Sequence, residues 1–301
     1  MFFKYCFIIV SCFVSIPILA FIHDHQSVHN YSSLYLYSDH FYYEEFHNNE
    51  TIMSEKGRFN GLNLAYQFPL KNNWLLKVSA TSLRGNTTYT GSLQSLFSNE
   101  TTPFSINNIV QTRHVYAAYL ANRYNANDQT TLISFTGIYY RKWIDRLDLA
   151  SIYGYKRATR YLTLPVGIHY QYQVNDFLKV GASGTYHIWV NGKNTSGLGR
   201  FGDTQNSDSS IIAHQTDLSF EQNSGNGLEC SLFLRYQFKN NPLMLDISFN
   251  YTKWIVDDSD PEGLYFTNID TEEYYFRPEI YFEPKNVSIQ KGISIGLHRP
   301  F

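Results

Sequence analysis

The sequence predicts an all-β fold, a transmembrane antiparallel up-and-down β-barrel of about ten strands. Three observations predict it: long segments alternate apolar and polar residues with period two, their polar face is poor in Lys and Glu, and short and long connections alternate along the chain.

The clearest alternating segment runs from Tyr161 to Val174. Its even positions are Leu162, Leu164, Val166, Ile168, Tyr170, Tyr172 and Val174, against Thr163, Gly167, His169, Gln171 and Gln173 at odd ones. At 43% apolar residues, seven successive matches on one face arise by chance about 0.003 of the time. A turn at Asn175-Asp176 joins it to a second segment, in which Leu178, Val180, Ala182, Tyr186, Ile188 and Val190 oppose Lys179, Ser183, Thr185 and His187. The same pattern recurs in Leu62 to Phe68, Trp74 to Ala80, Leu228 to Phe238 and Leu243 to Tyr251, and more weakly in Thr112 to Tyr124 and Thr130 to Arg141.

Alternation alone fits a soluble barrel or sandwich as well as a membrane barrel. The polar face separates them, because it is mostly Gly, Ser, Thr, Gln, His and Asn, as in a wet lumen, rather than a charged outer surface. Aromatics gather beside the short turns (Tyr66, Phe68 and Trp74; Tyr170, Tyr172 and Phe177; Tyr236 and Phe238), where an interfacial girdle belongs.

The short connections are 69–73, 125–129, 175–176 and 239–242, read as periplasmic turns. Long polar stretches at about 84–110, 142–160, 191–227 and 257–286 are read as extracellular loops. A first strand at about Asn30 to Phe46, followed by a connection at about His47 to Gly57, and a last strand ending at Phe301 bring the total to ten. Tyr274 to Phe282 is strand-like and pairs with Leu264-Tyr265-Phe266 as an extracellular hairpin; if both cross the membrane the count is twelve. Pro278 favours the hairpin.

Composition bounds the rest. Charged residues make up 17% of the 301-residue chain, below the usual quarter, while 25 Tyr and 22 Phe raise the aromatics. A net charge of −2 without runs of Lys or Arg excludes a nucleic-acid footprint. Lys4, an apolar run from Tyr5 to Phe21 and Ala20 before the polar His23 to Gln26 read as a secretory signal cleaved after Ala20, residues 1–20, leaving 21–301 as the barrel domain. An uncleaved anchor is the alternative, against which the run is short and carries Pro17. Cleavage leaves only Cys230, so no internal disulfide holds the exported chain and closure of the barrel must do so.

Ile293, Ile295 and Leu297 alternate toward the terminal Phe301, which resembles the C-terminal strand signal of bacterial outer-membrane proteins. The resemblance implies Gram-negative outer-membrane location, lipid and lipopolysaccharide as surroundings, and the barrel-assembly machinery as partner; Arg299 and Pro300 depart from the usual ending. The segment Trp254 to Asp260 and the Glu283-Pro284-Lys285-Asn286 run resemble a porin-like family of outer-membrane barrels without assigned function, over roughly 161–301. That implies fold rather than activity.

Four charges fall on the expected lumen face: Lys179, Glu229, Arg235 and Asp246. Unpaired charge there is costly, so a paired plug is expected ahead of a substrate-selecting ring. A ten-stranded barrel is also narrow. Asp257, Asp258 and Asp260 form an acidic extracellular rim, with His214 and Asp217 near another. A ten-stranded barrel with such groups resembles the omptin proteases, which set an acidic pair against a His-Asp pair, although omptin motifs are absent. The acidic cluster lacks the glycine placement of a Ca²⁺ loop. His187 and Ser183 lie about 13 Å apart on one strand face and form no dyad, which leaves a partner from a neighbouring strand open. His23, His25, His29, His40 and His47 lack ligand spacing, so no cofactor or metal is expected. The expected function is a non-enzymatic barrel whose long loops contact something outside the cell or stabilise the membrane. A narrow or selective channel and a rim hydrolase follow it.

Overall fold

The computed structural model describes residues 30–94, 101–205, 210–239 and 241–300. The expected signal peptide, the first three histidines and Phe301 lie outside them.

The elements in chain order are β1 (Tyr31–His47), β2 (Glu50–Pro69), β3 (Trp74–Gln94), β4 (Thr101–Asn125), β5 (Thr130–Arg146), the short helix α1 (Leu147–Ala150), β6 (Lys156–Gln173) and β7 (Leu178–Ser196). A 3-10 turn (Leu198–Phe201) precedes β8 (Asp203–Gln205), β9 (Ile211–His214), β10 (Leu218–Gln222), β11 (Gly225–Gln237), β12 (Met244–Val256), β13 (Glu262–Asn268), β14 (Glu273–Tyr281) and β15 (Lys285–Pro300). Neighbouring strands pair antiparallel from β1 to β7, then β11, β12 and β15. The sheet closes where β15 pairs with β1, from Tyr31 opposite Pro300 to Phe46 opposite Lys285. Ten strands span, as the sequence predicts, and closure leaves no unpaired backbone edge in lipid. β10 extends the wall made by β11: Leu218 to Gln222 pair with β7 above the kink at 223–224, and Asn226 to Tyr236 pair below it.

The apolar parity faces outward. Leu164, Val166, Ile168, Tyr186, Ile188, Leu232, Phe249, Ile293, Ile295 and Leu297 are all exposed on the barrel's outer surface, where lipid covers them. Phe68, Trp74, Tyr170, Phe177, Tyr236 and Phe238 ring the end with short turns. Three of those turns use one device, in which an Asn Oδ1 (Asn127, Asn175, Asn241) accepts the N–H two residues on.

Two expectations about loops are corrected. The connection expected at His47 to Gly57 is a two-residue hairpin, with Asn48 and Asn49 at φ 51° and 66°, values Asn tolerates in such turns. Much of 84–110 and 142–160 is strand: β3 and β4 run 21 and 25 residues, about twice what a bilayer needs. Beyond the lipid the outer face of a strand is wet and polar while the inner face encloses polar as well as apolar groups such as Thr87, Gln111 and Asp145, so these extensions carry no alternation of apolar and polar residues. Instead of crossing the membrane, Tyr274 to Phe282 pairs through β14 with β13 in a separate sheet, ordered β14-β13-β9-β8, at the extracellular end. Its inner face packs Leu264 and Phe266 on Ala213, Leu218 and Phe220.

Candidate functional site

The lumen holds three layers. In the middle, Phe41, Tyr43, Met53, Phe59, Trp143, Tyr161 and Trp254 form a buried cluster. Its ring contacts join strands that are not neighbours: Tyr43 of β1 meets Trp143 of β5 at 5.7 Å, and Trp254 of β12 meets Tyr139 of β5 at 5.8 Å and Tyr161 of β6 at 6.0 Å. Those pairs bridge the lumen. Trp254 is 1% exposed and lies on Gly227, where a Cβ would come within 2.7 Å of the indole. The Arg113 guanidinium stacks between Phe41 (3.5 Å) and Phe59 (4.0 Å), and Arg141 over Trp143 (4.7 Å) and Trp254 (5.3 Å).

Above this, four carboxylates converge on Arg157 of β6. Its nitrogens lie 2.8 Å from Glu45, 2.9 Å from Glu55, 3.0 Å from Asp145 and 3.8 Å from Glu283. Gln111 donates to Glu55, and Arg113 to Gln111, which links the layers. Glu283 sits at the extracellular rim, beyond the spanning strands. There burial pushes its carboxyl up to about 8, with Glu45 adding to the rise and Arg157 opposing it, while Asn194 donates to it at 2.6 Å.

Below the aromatics, a cavity of about 470 Å³ reaches the periplasmic end. Lys179, Glu229, Arg235 and Asp246 all line it, but they do not pair off as a set. Arg235 holds Asp246 bidentately at 2.7 and 2.8 Å. Glu229 instead accepts from Tyr139 at 3.2 Å and lies 3.5 Å from His187. Lys179 has no carboxylate in ion-pair range among the described residues; it stands opposite a like charge, Arg235, across β7 and β11, so of the four only Arg235 and Asp246 pair as the expected plug would.

Two enclosed histidines, His187 and His298, lie between a hydroxyl and a carboxylate, whereas His169 stacks on Phe233 at 4.7 Å. His187 Nδ1 lies 3.0 Å from Thr163 Oγ1 on neighbouring β6, rather than near Ser183, whose hydroxyl meets Ser231. His298 sits between Ser33 (2.8 Å) and Asp246 (2.7 Å). At the surface, His214 Nδ1 lies 2.9 Å from Asp203 and its Nε2 2.7 Å from the Thr267 hydroxyl. Asp217, expected beside His214, accepts the Gly199 N–H instead.

The acidic rim is a set of staples. Asp257 accepts from Ser224, Asp258 from the Lys285 N–H and Asp260 from Asn223, tying the start of the 257–286 connection to the kink before β11 and to β15. The three therefore do not converge on one point. Of the sparser histidines, His40 meets Arg58 and His47 the Phe282 ring. Sequence reading missed Glu45, Glu55, Arg113, Arg141, Asp145, Arg157 and Glu283. Extending the odd parity of β6 upward from Tyr161 through Thr159 would have placed Arg157 in the lumen.

No protein-family model matches the chain, and no curated protein does. Among solved structures, the outer membrane protease OmpT from Escherichia coli superposes with a TM-score of 0.61 over 93% of this chain and 99% of its own, at 9% identity. A Pseudomonas aeruginosa FadL homologue (TM-score 0.31, 12% identity, 91% of each chain) is also similar. So is the translocator domain of the autotransporter NalP from Neisseria meningitidis (0.38, 12%, 90% and 89%). At these identities the likeness is one of fold, and only the first superposition is close enough to argue from. Closure through β1 and β15, an apolar exterior and that superposition lead to one statement: the chain folds as a closed ten-stranded β-barrel of the outer-membrane type.

Proposed function

We propose that this protein is a closed, non-conducting barrel that works at the cell surface through the sheet of β8, β9, β13 and β14. The observation that carries the reading is the aromatic bridge from β1 to β5 and from β5 and β6 to β12, which leaves no wide aqueous path. The surface sheet supports the second half. Its outer side presents Tyr265, Tyr274 and Phe276, all exposed, with Tyr265 stacked on Tyr274 at 5.1 Å. Such aromatic faces suit recognition more than solvation. Purified protein reconstituted in planar bilayers should give no steady conductance; a persistent open level in symmetric salt overturns the reading.

A rim hydrolase is the second reading, favoured by Asp203, His214 and Thr267, which stand in the order of orienter, base and hydroxyl. Peptidase or esterase turnover by purified protein that is lost in both His214→Ala and Thr267→Ala would favour it. Turnover that survives either change, or none at all, removes it.

A further inference from the structure

The periplasmic cavity is lined by six Lys or Arg side chains against three carboxylates. Those carboxylates are already occupied. Asp246 takes Arg235, Tyr35 and His298, Glu229 takes Tyr139, and Asp39 takes Gln290. The cations lack carboxylates: among the described residues Lys77, Arg113, Arg123, Arg141 and Lys179 form no ion pair, and of the six only Arg235 does, although Arg113 donates to Gln111 and Gln290 and Arg123 to Asn125. Arg141, 4% exposed at the roof, leaves its Nη1 without any hydrogen-bond partner.

Uncompensated positive charge inside a narrow barrel is unfavourable. The Lys179 and Arg235 opposition on adjacent strands adds to it. A counter-charge with several acceptor oxygens would relieve both, taking point charges from the lysines and planar forks from the arginines. It must arrive from below, because the bridged aromatics close the upper route.

We propose that the lower half of the barrel is a binding site for a soluble multivalent oxyanion of the phosphate type, entered from the periplasm. The site is independent of the surface sheet: a conducting barrel would end the surface reading and add a second route of entry here, while leaving the cavity's cations without carboxylates. The probe is inorganic pyrophosphate, titrated calorimetrically into the full-length mature protein in a non-ionic detergent, with sodium chloride at matched ionic strength and citrate as comparisons. Pyrophosphate should bind at least tenfold more tightly than either. The double variant Lys77→Gln, Lys179→Gln should weaken it at least tenfold, while retaining the heat-modifiable gel mobility of a folded barrel. Should the double variant fail that folding check, Lys179→Gln alone should weaken pyrophosphate binding at least threefold. Binding no tighter than chloride, binding of citrate as tight as pyrophosphate, or undiminished binding by a folded variant each overturns the assignment.

Discussion

The two halves of the barrel interior carry opposite charge and settle it differently. On the extracellular side, Glu45, Glu55, Asp145 and Glu283 crowd one guanidinium, and all three guanidinium nitrogens of Arg157 bond within the chain. On the periplasmic side, cations outnumber carboxylates around open space. The upper cluster is structural, since its carboxylates share one guanidinium and, Asp145 Oδ1 apart, bond to groups of the chain around no open space. The lower one is incomplete, and incompleteness beside a cavity marks a place to bind. The aromatic layer stands between them, and only Arg113 reaches the upper acids, through Gln111 to Glu55, so no upper carboxylate forms an ion pair with a cavity cation among the described residues.

The contrast is broken most directly at Arg157. Arg157→Met leaves four enclosed carboxylates without their cation, and should cost about 3–5 kcal/mol in urea unfolding from detergent. Lys77→Met, which removes a cation that no carboxylate holds, should be neutral or slightly stabilising in chloride. Equal losses in the two variants would erase the distinction. Next comes the partition between the halves: Trp254→Ala vacates the ring that meets Tyr139 and Tyr161, with an expected loss of about 3–5 kcal/mol and intermittent bilayer conductance.

A smaller effect is expected in pH dependence. Glu283 titrates near 8 in the folded chain against an ordinary value of 4.5, so the folded state keeps its proton longer than the unfolded state does. Its contribution to stability is full below about pH 4.5 and declines as the pH rises to about 8. Glu283→Gln should flatten part of the fall in stability between pH 5 and pH 9; an unchanged slope places the titration elsewhere. The smallest effect belongs to the rim, where Asp257→Ala loses an exposed serine bond and a 3.7 Å contact to Lys285, and should cost no more than about 1 kcal/mol.

The legible parts of the sequence are those in lipid. Tyr161 to Val174 could be read because a spanning strand has one greasy and one wet face, and the short turns could be read because Asn bonds the nearby backbone there. Where β3 and β4 leave the membrane that rule lapses, and an extended hairpin was indistinguishable from a loop. The lumen charges divided along the same line. Lys179, Glu229, Arg235 and Asp246 lay inside alternating segments and were placed on the correct face, whereas Arg157 and Asp145 lay just outside them.

By itself the sequence determined the barrel, its strand number within two, its outward face and its narrowness, because each is a local consequence of alternation and turn chemistry. Only the tertiary structure decided which charges meet. Arg157 and Glu45 stand 112 residues apart, and Tyr35 and His298 263 apart. Such partners are chosen by shear and closure of the sheet, a property of all ten strands together.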